Sequence, residues 1–298
     1  MNGWIIYNGH LQGEKFHDYA HWLQTASERK GLNMQLVKNT ELLVTYTDGK
    51  SNLQLNEQPD FVLFGDKDIP LALELENLGI PVFNRGQAIA ICDDKGLTYQ
   101  QLANQGVPFP KTILAPKIFS GTDVTDYTPY ATIAKELGYP FIIKENFGSF
   151  GQQVYLIQNE QELLEKVNEL ESTPHLFQEL VQTSYGKDIR LNVVGKKVIA
   201  SMMRQANDDF RANVTVGAVT IPYAPSEEEC ELAIQASQIV GADFAGVDLL
   251  FGEGDKRLIC EVNSNPHIRS IYECTGVNVA DAMLDYVIAV LSKKEKRR

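Results

Sequence analysis

Hydrophobic and polar residues recur with two different periods along this chain, and the switches between them outline its elements. In the first ninety residues, Trp4–Asn8, Met34–Val37 and Asp60–Phe64 are short apolar runs of strand length. Lys15–Lys30 and Leu71–Leu78 carry helical spacing, and each is followed by a glycine, Gly31 or Gly79, suited to a helix end. Ile80–Phe83 opens another extended segment. Strand and helix alternating in this way predict a small parallel sheet covered by helices.

Beyond Asp93 the rhythm changes. Leu97–Gln105 reads as a helix stopped by Gly106-Val107-Pro108, and Ser120–Tyr130 reads as a turn-rich loop. Tyr139–Lys144 is a strand that runs into a glycine loop, Gly148-Ser149-Phe150-Gly151. Gln161–Glu171 has the pattern of an acidic amphipathic helix, and His175–Val181 that of a strand. From residue 183 onward, Ile189–Val194 and Lys197–Arg204 predict a hairpin around Gly195-Lys196. Ser226 then caps a helix that Gly241 stops, the strands Gly246–Phe251 and Arg257–Asn263 follow, and a last helix runs from Val279 to Leu291.

The pair Gly246–Phe251 and Arg257–Asn263 carries the most chemistry. A tight turn at Gly254-Asp255 would set Asp248 opposite Glu261 and put Asn263 on the face of Glu261. Carboxylates facing each other with Cβ atoms roughly 5 Å apart repel in an ordinary sheet. A divalent cation removes that conflict, and Asp, Glu and Asn supply the hard oxygen donors that Mg²⁺ prefers. A solvent-facing sheet in another register is the plain alternative. Lys144, with Gly148 and Gly151 after it, could bring a point charge and close-approaching N–H groups to phosphate. The same glycines also suit a simple hairpin turn. Arg190, Arg204, Arg211 and Arg269 are candidates to grip carboxylate or phosphate. No G-x-x-x-x-G-K-[ST] sequence, nucleophile elbow or G-x-G-x-x-G stretch occurs, so P-loop, serine-hydrolase and dinucleotide-binding readings lose support.

Composition narrows the picture only a little. At 298 residues the chain has room for about two domains. Its net charge of −12 argues against a nucleic-acid surface, and the basic Lys293–Arg298 run reads as a solvated tail. Four cysteines without C-x-x-C spacing suggest reduced thiols, not zinc or a redox pair. No stretch is apolar enough to span a bilayer, so no membrane partner is expected, and the reading is of a cytoplasmic protein.

The order of these features resembles the ATP-grasp superfamily, in particular its RimK-like branch of amino-acid ligases. The resemblance is carried by Asp94-Lys95, Phe141–Lys144 with the glycine loop, Phe177–Val181, Lys187–Arg190, Asp209–Asn213, Ala245–Asp248, Cys260–Pro266 and Thr275–Val277. It implies a mixed α/β and α+β architecture: an N-terminal pre-ATP-grasp α/β domain (1–92), then two ATP-grasp subdomains (93–181 and 182–298) that clamp ATP between their sheets. It places Lys95 and Lys144 on the phosphates with Gly148, Ser149 and Gly151. Gln178, Glu179, Leu180 and Val181 would lie along the adenine, with Asp188 near the nucleoside. Arg211 and Asn213 would face phosphates or the reacting acyl group, with Arg269 on the acceptor side. Asp248, Glu261 and Asn263 match the family's metal ligands, for two Mg²⁺ (or Mn²⁺) ions. Lys144, Arg211 and Arg269 are thus the expected catalytic residues.

The implied chemistry is ATP-dependent amide formation through an acyl phosphate, adding an amino acid such as glutamate to a peptide, protein or carrier. A ligase making a small dipeptide or cofactor, and a nucleotide-binding regulator without turnover, are the rivals. A basic cleft of Arg190, Arg204 and Arg269 would favour an anionic acceptor, and a homo-oligomer accords with the habit of related enzymes. The loop Glu145–Gly151 and the segment Asn263–Arg269 depart from the pattern of close glutamate ligases, which leaves amino acid and acceptor open.

Overall fold

The computed structural model describes residues 1–11, 13–53, 55, 57–149, 151–214 and 217–295. Phe150 of the glycine loop and the end of the basic tail, residues 296–298, lie outside them.

The N-terminal sheet is formed by β1 (Asn2–Tyr7), β2 (Asn33–Lys38), β5 (Phe61–Phe64) and β6 (Val82–Phe83), in the order β2-β1-β5-β6. Its pairings are all parallel, as the alternating pattern predicts. Helices α1 (Glu14–Arg29), α2 (Ile69–Asn77) and α3 (Gly86–Asp93) complete this unit. Between β2 and β5 stands a hairpin absent from the sequence reading, β3 (Val44–Thr47) and β4 (Lys50–Leu53). Its Asp48-Gly49 corner has positive φ at both residues, 53° and 72°, the backbone that a two-residue hairpin turn demands.

A four-stranded antiparallel sheet follows, β7 (Thr112–Leu114), β8 (Phe141–Glu145), β9 (Val154–Ile157) and β10 (His175–Glu179), ordered β7-β10-β8-β9. It is entered through α4 (Lys95–Asn104), whose first turn is capped by the Asp94 carboxylate accepting from Leu97 N at 3.2 Å. Helices α5 (Thr128–Leu137) and α6 (Glu160–Leu170) bury Tyr130, Ile133, Leu163 and Val167 against Phe141 and Phe177. Part of the stretch read as a loop is therefore helix: Tyr130, Ile133 and Leu137 recur at helical spacing behind Pro129.

The third sheet runs β13-β12-β11-β14-β15, from β11 (Lys187–Val194), β12 (Lys197–Gln205), β13 (Val219–Pro222), β14 (Phe244–Phe251) and β15 (Arg257–Asn263). One face is covered by α7 (Glu227–Ile239), opened by a reciprocal capping box between Ser226 and Glu229. Beyond β15, α8 (Arg269–Thr275) and α9 (Val279–Glu295) turn back, and Met283, Leu284 and Val287 join Leu23 of α1 in one apolar cluster.

Asp248 does pair with Glu261, but not through the expected two-residue turn. The chain leaves β14 at Phe251 and re-enters at Arg257, around a short 3₁₀ turn at Glu253–Asp255. That longer turn moves the pairing by one residue, and a bulge at Cys260 moves it back before Asp248 and Glu261 meet.

One side chain joins the first sheet to this hairpin. Asn84, directly after β6 and 1% exposed, accepts from the N–H groups of Asp243 (2.6 Å) and Phe244 (2.9 Å). Its amide donates to the carbonyls of Phe244 (2.8 Å) and Ser264 (2.6 Å). Both strands of the β14–β15 pair are thereby fixed, at their open end, from the N-terminal sheet. Asn84→Ala strips partners from four buried backbone groups and is expected to cost on the order of 3 kcal/mol in a denaturant melt. Ser226→Ala, which loses one exposed cap, should cost about 1 kcal/mol in the same measurement.

Candidate active site

The second and third sheets face each other across a cleft of about 880 Å³ of empty space, open to solvent. β8 and its following loop supply Lys144, Gly148, Ser149 and Gly151 to the walls, and α4 supplies Lys95. Gln178, Glu179, Leu180 and Val181 come from the end of β10 and the strap leading to β11. Asp188, Asp248 and Glu261 come from β11, β14 and β15, and Arg211 and Asn213 from the loop after β12. With Arg204 of β12, fifteen residues singled out one by one in the sequence thus line one cavity.

Lys144 is almost fully enclosed, its Nζ 3.7 Å from Cys260 Sγ. Burial works against its charge, but Cys260, Tyr99 and Glu261 together outweigh that and hold its pKa above the ordinary lysine value. Lys95 goes the other way. Burial lowers its pKa, with Lys144 adding to the effect and Glu261, 4.0 Å away, opposing it. Lys95 Nζ also donates to Gly148 O at 3.3 Å. Burial pushes the Cys260 thiol up to about 11, so it is a neutral, poorly reactive wall of the cleft.

The glycine loop is held from the third sheet's side as well. Arg211 Nη1 donates to Gly151 O at 2.8 Å, while its Nε and Nη2 grip the Asp209 carboxylate. Gly151 has a φ of 73°, and a Cβ there would sit 2.6 Å from Asn213 Oδ1. Only glycine combines that backbone with so close an approach. On the opposite strap, Gln178 is buried and donates to Thr112 Oγ1 at 2.8 Å, and the Glu179 carboxylate accepts from Lys111 N at 2.7 Å.

Asp248 is buried, and the protein itself answers its charge. Arg190 donates to both carboxylate oxygens, with Nη2 to Oδ2 at 2.7 Å, and Arg204 Nη2 lies 2.9 Å from Oδ2. Arg204 also grips Asp188 at 2.7 and 2.5 Å. Although burial raises the pKa of Asp248, Arg190 and Arg204 bring it below the ordinary aspartate value. For Asp188 burial outweighs Arg204 and leaves the pKa raised. Glu261 is the open carboxylate of the pair, with Lys95 its nearest cation.

Arg269 and Asn263 lie outside the cleft lining. Arg269 heads α8 and faces α1, where it grips the Asp18 carboxylate and covers the Trp22 ring at 5.0 Å. The segment after Asn263 leans on the N-terminal sheet, so proximity in sequence to Glu261 did not become proximity in space. The expected basic cleft of Arg190, Arg204 and Arg269 is therefore not formed: the first two are paired inside the third sheet and the last is on another face. Asn263 Nδ2 approaches Gly246 O at 3.4 Å. Ile142, Lys187, Phe210, Leu250 and Cys260 also line the cleft. Ile142, Lys187, Phe210 and Cys260 stand inside the segments that carry the family resemblance, and Leu250 lies two residues past Asp248 on the same hairpin.

Among the described residues no three His, Cys, Asp or Glu side chains converge on one point. The donors at hand are two carboxylates at facing register positions and one carboxamide. This set suits a hard divalent cation, with Glu261 the more open donor and Asp248 held by Arg190 and Arg204.

Residues 92–287 match the RimK-like ATP-grasp domain. The chain is 33% identical over 288 residues to human N-acetylaspartylglutamate synthase A, covering 92% of this chain and 72% of that protein. It is 30% identical over 275 residues to human beta-citrylglutamate synthase B, covering 87% and 70%. Its fold superposes on that of the ATP-grasp ligase PsnB, solved with its minimal precursor, with a TM-score of 0.72, 17% identity and coverage of 97% and 99%. With the family match spanning most of its length, and the two-sheet cleft in place, the chain belongs to the RimK-like ATP-grasp family and is a carbon–nitrogen ligase.

Proposed function

We propose that this ligase uses ATP to activate one carboxyl group of a small polycarboxylic acid and joins it to the amine of glutamate. The observation that carries the reading is the convergence of Lys95, Lys144, the glycine loop and the Asp248–Glu261 pair on the walls of one cleft. Two relatives whose names denote glutamate joined to N-acetylaspartate or citrate support a small acid over a protein acceptor.

In the chemistry we infer, a substrate carboxylate oxygen attacks the γ-phosphorus of ATP, ADP leaves, and an acyl phosphate remains. The glutamate nitrogen then attacks the acyl carbon, and phosphate departs as the amide forms. Lys144 and Lys95 stabilise charge on the transferring phosphoryl group, with the loop N–H groups beside them. Arg211 holds the loop and presents its remaining charge to the same end of the cleft. Glu179–Val181 carry the nucleoside end, and Asp188 is kept in place by Arg204. Mg²⁺ held by Glu261 and Asp248, with Asn263 near, would neutralise phosphate oxygens; one or two such ions are compatible with these donors. A cytoplasmic setting, where ATP is available, belongs to the same proposal.

The test is ADP release and amide formation, followed by mass spectrometry, with glutamate and a panel of di- and tricarboxylic acids. Release that requires both an acid and glutamate supports the reading, whereas ATP turnover indifferent to either would sink it. Lys144→Met should lower kcat/KM for ATP by about 10²–10³-fold, the usual loss when one charged stabiliser of a transition state is removed. Glu261→Gln should raise the Mg²⁺ concentration needed for half-maximal rate while leaving the melting temperature nearly unchanged, because the side chain faces the cleft.

A further inference from the structure

Three cations from three parts of the chain hold the glycine loop. Lys95 donates to Gly148 O (3.3 Å), Arg211 to Gly151 O (2.8 Å), and Lys67 Nζ to Ser149 Oγ (3.3 Å). Lys95 and Arg211 line the nucleotide cleft; Lys67 does not. It reaches the outer side of the loop from the N-terminal sheet, just beyond β5, and also pairs with Asp93 at the end of α3.

The position of Lys67 in the sheet is informative. In the order β2-β1-β5-β6, the chain passes from β1 to β2 on one side and then continues to β5 and β6 on the other. The connections diverge between β1 and β5, which opens a crevice beyond the carboxyl ends of those two strands, the place where open α/β sheets take ligands. Its rims are residues 8–10 and 65–67. Asn8 Nδ2 donates across it to both carboxylate oxygens of Asp66, at 3.1 and 3.2 Å. Asn265, two residues past Asn263, donates to Asp66 O at 3.0 Å. The crevice therefore adjoins the loop that holds phosphate on one side and the end of the carboxylate hairpin on the other.

We propose that this crevice is the subsite for the polycarboxylic acid that the enzyme activates, with Lys67 reading a carboxylate other than the one that reacts. Asp93 is the resident counter-ion of Lys67, and the incoming carboxylate takes its place. The pair is open to such exchange, since the Lys67 side chain is 43% exposed and that of Asp93 17%. The contact of Lys67 with Ser149 sets the subsite beside the loop over the phosphates. The substrate class rests on the ligase reading above; the location rests on the sheet topology and on Lys67.

An exchange of counter-ions predicts opposite signs for two single variants. With the full chain, ADP and Mg²⁺ present, citrate and N-acetyl-L-aspartate are titrated by calorimetry, and KM for acid, glutamate and ATP is measured in the ligation assay. Lys67→Met should weaken acid binding roughly tenfold through loss of a charge-assisted contact, and Asp93→Asn should tighten it about threefold by removing the competitor. Lys67→Arg should stay close to the wild type, and the KM values for ATP and glutamate should hold within about twofold in all three variants, since the acid's own contact is the one changed. A purely structural ion pair would make both variants shift in the same direction. That result overturns the inference, as would an ATP KM that moves with the acid KM, or a wild-type protein that binds neither acid. Acid binding with the expected pattern but no amide would remove the ligase reading and leave the subsite standing. Amide formation indifferent to Lys67 and Asp93 would do the reverse.

Discussion

Asp248 and Glu261 face each other on adjacent strands, an arrangement a sheet resists unless positive charge is brought to it. The protein brings it in two ways. Arg190 and Arg204 close on the buried Asp248 from within the same sheet, and Lys95 approaches Glu261 from α4. Removing either arginine's partner would strand a charge in the interior, which costs far more than any surface pair contributes. The rest of the cleft is arranged around this solution. β11 must place Arg190 beside Asp248, β12 must place Arg204 between Asp188 and Asp248, and the second sheet must deliver Lys144 over the same point.

How much of this could be read in advance depended on whether local rules or tertiary contacts decided each feature. The parallel N-terminal sheet, the capped α7 and the β11–β12 hairpin follow from periodicity and turn residues, and all were legible. The pairing of Asp248 with Glu261 was reached through the wrong turn. Two departures, a longer turn and a bulge at Cys260, cancel between the corner and the carboxylates, and neither leaves a mark in the hydrophobic pattern. The Asp48-Gly49 hairpin did leave a mark, since flanking strands around an Asp-Gly pair are a strong local signal, and it was missed.

Arg269 illustrates the opposite limit. Six residues past Asn263, it looked like part of the same site, yet Pro266 packs over Gly246 and Ile268 enters the core, so the chain bends away toward α1. No local property of Arg269 distinguishes those outcomes; the Asp18 carboxylate and the Trp22 ring that hold it lie some 250 residues earlier in the chain. Lys67 and Asn84 escaped notice for the same reason. Each is an ordinary polar residue after a short strand, and each acquires meaning only where the N-terminal sheet meets the ATP-grasp sheets. Asn84 there fixes the hairpin by four hydrogen bonds, whereas the exposed pairs between α1 and α9, Arg29–Asp281 and Lys30–Asp285, add little beside the apolar cluster beneath them.

A chain carrying a net charge of −12 is a poor long-range attractor of nucleotides and polycarboxylates, so the local balance has to do that work. Five cations and four carboxylates line the cleft, leaving it close to neutral. Such a lining discriminates by how charge is distributed. A bare triphosphate would crowd its negative charge against Asp248 and Glu261, whereas one already partly neutralised by a divalent ion, as proposed above, would find oxygen donors in the same carboxylates. The arginines on Asp248 keep that carboxylate ionised inside the sheet. On the function proposed above, the paired acids would favour the metal-bound nucleotide over the bare one, and the lysines around them would face its phosphates.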